Sequence, residues 1–303
     1  MYDLMVIGGG PAGLAATVYA ARKQLNAALI SQDIGGQMNW TLGIENYLGY
    51  QFIEAPELIG KFQTQVDQFP IDQKIGDKVS RVEKIDGGYE AVLENGDRHQ
   101  SKAAILATGK KPRMLNVPGE KELVGRGVAY CAVCDGPVFA GQRVAVVGGG
   151  NSALEAVLDM LKIGEHVDMV SLTPLTGDPV LISQLSEGEK LAVYTEHETV
   201  RIEGDPLVEG MVIKDIKAGE EKRLDVTGVF IEIGLVPNSD PVKGLLKLNK
   251  TGEVPVNCSC ETALPGLFAA GDVTNVPEKQ IVIAAGEGAK AALGAHRYLQ
   301  RLG

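Results

Sequence analysis

Two cysteines separated by two residues are the side chains of this 303-residue chain best suited to redox chemistry. Cys131 and Cys134 lie in the string CAVCDG, and a Cys-x-x-Cys pair can cycle between a dithiol and a disulfide. The pair could also be half of a zinc site or two buried thiols, but zinc needs two further ligands at suitable spacing. Cys258 and Cys260 form a C-x-C more than a hundred residues away. We therefore expect a redox pair and no metal site; Cys258 and Cys260 are expected to pack, with a regulatory role as the alternative.

Two glycine-rich turns could each hold the pyrophosphate of a dinucleotide. Their glycines permit a tight turn and close approach of the backbone, and the next helix points its N-terminus at the anion. The candidate residues of the first turn, GGGPAG, are Gly8, Gly10, Pro11, Ala12 and Gly13. Those of the second turn, GGGNSA, are Gly148, Gly150, Asn151, Ser152 and Ala153. Two nucleotide sites with a redox dithiol between them indicate an electron relay rather than a binding module.

The contact that usually holds a ribose is missing after the first turn. An acidic residue about 20 residues beyond the glycines would bind the ribose hydroxyls. Ser31 and Gln32 occupy the end of the following strand, and Asp33 comes slightly late. The sequence leaves this contact unassigned.

The elements that position these residues occur twice along the chain. The first unit is a strand, a helix, a strand and an antiparallel meander, predicted at 2–7, 11–23, 27–31 and 74–104. The second unit has the same order, predicted at 143–147, 152–162, 166–172 and 193–236. Each meander is expected to close on a strand, the first at 103–106 and the second ending at Gly234. A last helix is predicted from about Gln280 to Leu299.

This duplication predicts an α/β fold with two Rossmann-like, three-layer domains, the second inserted in the first. The first domain is predicted at 1–112 and 245–303, and the second, with the Cys-x-x-Cys, at 113–244. Stretches 109–119 and 236–244 are the candidate hinges. The alternative is two consecutive, unrelated α/β domains.

Composition excludes several classes of partner. The net charge of −10 disfavours nucleic acid, because phosphate binding depends on clustered Lys and Arg. No run of about 18 apolar residues predicts a membrane span. No secretion signal is recognised, so a reversible redox pair in the cytoplasm is expected. The four histidines have no spacing that indicates a site.

Several strings together are similar to the low-molecular-weight thioredoxin reductase family. They are GGQ at 35–37, ATG at 107–109, CAVCDG directly before GGGNSA, and AAGDV at 269–273. Within that group IENY, YCAVCDGPVF and KQIVIAAGEGAKAAL are most similar to the flavoprotein reductase of alkyl hydroperoxide reductase systems. That relative carries an extra N-terminal thioredoxin-like module, whereas the first strand here begins at Tyr2. We therefore expect the disulfide partner to be a separate thioredoxin- or glutaredoxin-like protein.

The resemblance implies FAD in the first domain, a pyridine nucleotide in the second, and a homodimer. Cys134 would face the flavin and form a charge-transfer thiolate, Cys131 would attack the partner disulfide, and Asp135 would exchange the proton. The second domain would rotate on its two hinges between the half-reactions. Residues that stand where the family contacts FAD, beyond the first turn, are Gly36, Gln37, Asn46, Val79, Ala107, Thr108, Gly109, Gly271, Asp272, Gln280 and Ile281.

The sequence departs from the family where the electron donor is selected. Family members that use NADPH carry an arginine cluster after the second strand of the inserted domain, but no arginine lies between Arg143 and Arg201. Users of NADH place an acid at that strand end, where Ser171 stands. We expect NADH rather than NADPH, with Ser171 at the nucleotide. The alternatives are a ferredoxin-like donor, a dithiol oxidase that passes electrons to oxygen, and a flavin-bound redox sensor.

Overall fold

The structure is a computed structural model that describes residues 1–41, 43–185 and 188–302. In chain order the strands are β1 Tyr2–Ile7, β2 Ala27–Ser31, β3 Gly43–Ile44, β4 Ile53–Glu54, β5 Asp72–Ile75, β6 Val79–Ile85, β7 Gly88–Leu93, β8 Arg98–Leu106, β9 Lys110–Pro112, β10 Val128–Ala129, β11 Arg143–Val147, β12 His166–Ser171, β13 Leu191–Thr195, β14 His197–Gly204, β15 Val208–Asp215, β16 Glu221–Leu224, β17 Gly228–Ile231, β18 Leu235–Pro237 and β19 Leu267–Ala269. The α-helices are α1 Pro11–Arg22, α2 Ala55–Asp67, α3 Ala132–Asp135, α4 Asn151–Ile163, α5 Pro179–Ile182 and α6 Ile281–Gln300.

The first body is a three-layer arrangement around β1. Its sheet has the order β5-β2-β1-β8-β7-β6, with β19 beside β8. Strand side chains alternate between faces, so Leu4 and Val6 pack with α1 and α6 while Met5 and Ile7 pack with the β6–β7 hairpin. Since both faces of β1 are covered, its apolar run is buried throughout its second half.

The second body repeats this plan around β11. Its parallel sheet has the order β10-β17-β11-β12-β13, and β14, β15 and β16 form a separate antiparallel sheet. Val144 and Val146 pack with α4, whereas Ala145 and Val147 pack with the antiparallel sheet. The predicted fold class, two Rossmann-like α/β units, is therefore confirmed.

Several predicted elements differ from the observed ones. Helix α2 and strand β5 were not predicted. The stretch assigned to the start of the second meander is β13, which pairs in parallel with β12. The strand expected to end at Gly234 ends at Ile231. The prediction of a meander at 193–195 was wrong. The sequence of a short apolar strand does not show whether the strand pairs in parallel or antiparallel.

The chain passes from the first body to the second at β9 and returns at β18, and these two crossings are hydrogen-bonded to each other. Strands β9 and β18 pair antiparallel, with Val236 opposite Lys111. The Thr108 hydroxyl donates to the Asn238 carbonyl at 2.7 Å, and the Asn238 amide donates back to the Thr108 carbonyl at 2.8 Å. Just beyond this ribbon, Val242 packs in the core of the first body. The domain boundaries predicted from the sequence, after residue 112 and after residue 244, fall at the end of β9 and beyond the end of β18. They remain predictions.

Candidate active site

A disulfide joins Cys131 and Cys134 at the start of α3. The chain arrives extended at Cys131, which caps α3, and the Cys134 N–H donates to the Cys131 sulfur at 3.2 Å. The two Cα atoms are 5.3 Å apart. Val133, between the cysteines, is 61% exposed. The redox pair thus lies on a tight turn with one apolar side chain open to a partner surface.

Asp135 connects this turn to the first body. It is 7% exposed, and the Thr41 hydroxyl donates to its carboxylate. Beside that bond the Trp40 ring meets the Tyr130 ring edge-on, with centroids 6.4 Å apart. Thr41 and Trp40 follow β2 and belong to the first body, so the dithiol turn of the second body faces the first body in this arrangement.

The edge of the first sheet nearest these contacts gathers most of the predicted flavin residues. The parallel strands β1, β8 and β19 all end there, which brings the first glycine turn together with 107–109 and 271–272. A Cβ on Gly8 would lie 2.2 Å from the Ala107 carbonyl oxygen, and one on Gly13 would lie 1.7 Å from the Gly8 oxygen. Gly10 is less crowded: a Cβ there would meet only the Gly36 Cα, at 4.0 Å, while a Cβ on Gly36 would lie 3.3 Å from the Gly10 Cα. The backbone is thus packed closely along this edge, which we call the groove and which consists of the first glycine turn, residues 107–109 and residues 271–272.

Polar side chains from distant parts of the chain meet at this groove. Gln37 donates to the Asp272 carboxylate at 2.6 Å, and Asn46 donates to the Gln280 amide oxygen at 3.0 Å. Burial raises the pKa of Asp272, which the hydrogen bond from Gln37 partly offsets. Ile281 is the first residue of α6, so the N-terminus of this long helix opens beside Gln280. Of the predicted flavin residues, Val79 is buried in the core of the first body.

A charged cluster beside Asp272 was not predicted. Lys110 donates to Glu253 at 2.6 Å, and Lys279 lies 3.7 Å from the same carboxylate. Burial raises the pKa of Glu253, but hydrogen bonds from Lys110, Asn249 and Thr251 outweigh it and lower the pKa to about 2. Burial lowers the pKa of Lys279. No sequence motif joins these residues, since Lys110 and Glu253 are 143 positions apart.

Glu287 also lies behind the groove without having been predicted. It is buried on α6 and accepts the Gly271 N–H at 2.7 Å. Burial raises the pKa of Glu287, and the hydrogen bond from Gly271 acts against that shift. On its other side the carbonyl of Glu287 accepts from the Cys260 thiol at 3.6 Å. Cys260 is buried and packs as expected, but the same expectation was wrong for Cys258, which is exposed.

The second glycine turn lies at the matching edge of the second sheet. A Cβ on Gly149 would lie 2.3 Å from the Ser171 hydroxyl, which donates to the Thr173 carbonyl at 2.7 Å. Ser31 makes the same bond to Asp33 beside Gly9 in the first body. Ser171 is 2% exposed, so its hydroxyl holds the loop against the turn.

The loop after β12 is fastened to the start of α4. The Asn151 amide donates to the Asp178 carboxylate at 3.0 Å, and the Asp178 N–H donates to Asn151 at 2.7 Å. Gly150 precedes the helix, Ser152 is exposed, and Ala153 packs beneath Gly148. The turn therefore has the shape of a phosphate cradle, and the sequence has no arginine between Arg143 and Arg201.

Glu232 is a further site residue that was not predicted from the sequence. It follows β17, where the first body has Ala107, and its carboxylate accepts the Ala132 N–H at 3.1 Å. A Cβ on Gly148 would lie 2.4 Å from its carbonyl oxygen. Burial, with a smaller contribution from the charge of Glu155, raises the pKa of Glu232 to about 7, although the bond from Ala132 opposes the shift. One residue thus touches both the nucleotide turn and the dithiol turn.

Candidate metal ligands do not gather at one place in the described part of the chain. Within residues 1–41, 43–185 and 188–302, no group of His, Cys, Asp and Glu side chains could hold a metal ion. None of the helices in these ranges is long and apolar enough to cross a bilayer.

Comparison with known proteins gives consistent matches over the whole chain. Residues 2–288 match the model of the family described as pyridine nucleotide-disulphide oxidoreductase. The chain is 41% identical over 301 residues to the F component of alkyl hydroperoxide reductase from Staphylococcus aureus and 43% identical to an NADH dehydrogenase of Bacillus subtilis. These matches cover 99% of the chain but 59% of either relative. The crystal structure of thioredoxin reductase from Streptococcus pyogenes superposes with a TM-score of 0.93, at 36% identity over 99% of both chains.

Proposed function

Because the chain belongs to the pyridine nucleotide-disulphide oxidoreductase family, we propose that it is a flavin-dependent disulfide reductase of the thioredoxin reductase type. The observation that carries the proposal is the Cys131–Cys134 disulfide held against the first body through Asp135 and Thr41. In the net reaction, a two-electron donor would reduce a disulfide in a partner protein to a dithiol. With NADH as the donor, one proton is consumed and NAD⁺ is formed.

The first body would hold FAD along the groove. Because Gly10 and Gly36 carry no side chains, a pyrophosphate would be able to approach their backbone closely, and α1 points its N-terminus to the same place. Asp272 and Gln37 would bind the ribitol region, and the N-terminus of α6 after Gln280 would face the ring system. When bound, FAD accepts a hydride from a nicotinamide and supplies two electrons to a disulfide. The half-buried side chains of Lys110 and Lys279 would add positive charge beside an anionic ligand.

The second body would hold the pyridine nucleotide at its glycine turn. We favour NADH, because NADPH is commonly recognised through arginine at its 2′-phosphate and the chain has none between Arg143 and Arg201. The name of the B. subtilis relative, NADH dehydrogenase, agrees with this choice. A contact between Ser171 and the nucleotide remains a prediction. In the structure the Ser171 hydroxyl donates to the Thr173 carbonyl instead.

The dithiol would reduce the partner by thiol–disulfide exchange. Cys131, as a thiolate, attacks one sulfur of the partner disulfide, and the other partner sulfur leaves and takes up a proton. Cys134 then loses its proton and attacks Cys131 in the mixed disulfide, which restores the internal disulfide and releases the partner as a dithiol. Asp135, the residue after Cys134, would give and receive these protons.

The partner would be a thioredoxin- or glutaredoxin-like protein. In the observed arrangement Asp135 is covered by Thr41 of the first body, so exchange with a partner requires the two bodies to move apart. Exposed Val133 offers an apolar contact beside the reactive sulfur. A homodimer and a cytoplasmic location remain parts of the proposal.

An anaerobic titration tests this function and its donor. Oxidised holoprotein is mixed in separate experiments with NADH, NADPH and reduced ferredoxin, and the flavin absorbance is followed. NADH is expected to bleach the flavin and to support reduction of a thioredoxin, and Cys131→Ser and Cys134→Ser are each expected to abolish that reduction. Bleaching without any transfer to thioredoxin or glutaredoxin would contradict the proposal.

A ferredoxin-like donor is the second candidate. The observation in its favour is the absence of an acid or arginine at the end of β12, where Ser171 is buried. Bleaching by reduced ferredoxin, with neither nucleotide effective, would establish this alternative. Oxygen consumption driven by small dithiols without nucleotide would instead indicate an oxidase.

A further inference from the structure

A carboxyl group is attached directly to the dithiol turn from the nucleotide side. The Glu232 carboxylate accepts a hydrogen bond from the N–H of Ala132, which belongs to the peptide bond between Cys131 and Ala132. Its backbone is fixed at the same time, since the Glu232 N–H donates to the Val147 carbonyl at 2.8 Å next to the glycine turn. Glu232 cannot shift without moving one of these two segments.

Charged groups around Glu232 come from each neighbouring segment. From α4, Glu155 acts on it with like charge. From α3, Asp135 is turned toward Thr41 of the first body. Arg113, on the first crossing, lies beside Gly234, two residues beyond Glu232. Glu232 is thus a half-buried carboxyl, and the like charge of Glu155 adds to the effect of desolvation in disfavouring its ionised form.

A negative charge here would act on the thiols. A thiolate on Cys131 and a carboxylate that accepts the N–H of the next residue would repel each other, so ionisation of one would raise the proton affinity of the other. Reduction of the disulfide creates a thiolate and a thiol with uptake of one proton, and the thiolate would then draw a further proton toward Glu232. The acidity of the dithiol and the protonation of Glu232 become one coupled titration.

From this geometry we propose that Glu232 is a positioning residue that couples the reactivity of Cys131 to its own protonation. As a neutral acid it holds the turn and leaves the thiol acidic. As a carboxylate it holds the turn more strongly and makes the thiol less acidic. The inference deepens the proposed disulfide reductase, and it concerns only residues of the second body.

The test measures alkylation of Cys131 in the absence of nucleotide and partner. Holoprotein carrying Cys134→Ser is reduced with dithiothreitol and treated with iodoacetamide from pH 5.5 to 9.5. Modification of Cys131 is followed by peptide mass spectrometry, which separates it from Cys258 and Cys260. In the parent the rate is expected to rise over a broad range with an inflection near pH 7, where burial places the pKa of Glu232.

Three second-site variants give the expected differences. Glu232→Gln keeps an oxygen acceptor and removes the charge, so the profile becomes a single titration and the rate at pH 8 rises about three- to tenfold. Glu155→Gln leaves Glu232 in place but removes the repulsion, so the inflection moves to lower pH. Asp159→Asn, one turn further along α4 at an exposed pair with Lys162, leaves the profile unchanged.

The outcomes separate this inference from the proposed function. If the Glu232→Gln profile coincides with that of the parent, or if Asp159→Asn has the same effect, Glu232 has no such role. Glu155→Gln keeps the test decisive if Glu232→Gln does not fold. Failure of the disulfide reductase proposal would appear in the flavin titration and would leave these alkylation profiles as they are.

Discussion

A carboxyl group whose pKa is raised by partial burial changes how the stability of a protein depends on pH, and Glu232 is such a group. Its raised pKa means that between pH 4.5 and 7 the unfolded chain has lost a proton that the folded chain keeps. The stabilisation is therefore complete below pH 4.5 and is lost as pH rises through 7. Side chains such as this one affect both the chemistry and the folding of the molecule.

Glu232→Gln is expected to stabilise the protein at pH 8 relative to the parent, by up to about 3 kcal/mol, and to have little effect at pH 4.5. The amide cannot ionise, so the penalty that accumulates between these pH values is absent. Urea unfolding at both pH values measures the difference. Asp159→Asn, exposed on α4, serves as the control and is expected to change the free energy of unfolding by less than about 0.5 kcal/mol. An equal effect of Glu232→Gln at both pH values would show that ionisation is not its cause.

Sequence reasoning found the site residues that lie in local motifs. Cys131, Cys134 and the two glycine turns are each defined within a few positions, and the structure places them at the ends of β10, β1 and β11. Glu232 and Glu253 could not be found in this way, because their partners lie 100 and 143 positions away. Their roles depend on which strands end side by side, and a single sequence does not give that information.

At the scale of elements, the first body depends on the close contact of α1 with α6. A Cβ on Gly288 would lie 1.9 Å from the Ala12 carbonyl oxygen, so the backbones of the two helices nearly touch at this point. Gly286, on the same helix, has open space around its Cα. This pair separates the effect of packing from that of glycine in a helix.

Gly288→Ala is expected to destabilise the protein by about 2 kcal/mol and to weaken flavin retention, because α6 must move away from the first glycine turn. Gly286→Ala is expected to be neutral or to stabilise by up to about 1 kcal/mol, since alanine favours the helix. Thermal unfolding and the flavin content of purified protein measure both effects. Equal melting temperatures for the two variants would contradict the packing argument.

Strands and helices with strong patterns were predicted close to their observed bounds. Strands β1 and β2 agree residue for residue, because continuous apolar runs beside glycine turns have few other interpretations. Strand β13 was placed in the wrong sheet, since LAVYT fits a parallel or an antiparallel position equally well. The direction of pairing is decided by the connection from β12 to β13, which includes α5 and lies outside the strand itself.

At the scale of the whole molecule, Trp40 reports on the contact between the two bodies. It is the single tryptophan of the chain, is 37% exposed, and touches Tyr130 across the interface. The nearby bond from Thr41 to Asp135 helps to keep the bodies in this arrangement. Tryptophan emission therefore measures how often the interface opens.

Thr41→Val is expected to shift the emission of Trp40 to longer wavelength, because a hydrogen bond to a charged group, typically about 1.5–3 kcal/mol, is lost from the closed arrangement. That energy corresponds to a change of about tenfold or more in the population of open molecules. Thr64→Val, at an exposed threonine that bonds within α2, provides the control. Unchanged emission together with unchanged small-angle scattering would show that this bond does not hold the bodies together.

The ribbon of β9 and β18 restricts the geometry of any such opening. Two independent strands of chain would allow the bodies to slide, tilt and separate in many ways. The crossings are instead joined by backbone pairing and by the hydrogen bonds between Thr108 and Asn238, so they form a single short connection that would serve as one axis of rotation. We expect any rotation of the two bodies about it to follow one main coordinate. A rotation of this kind would return the dithiol to the same place after each opening.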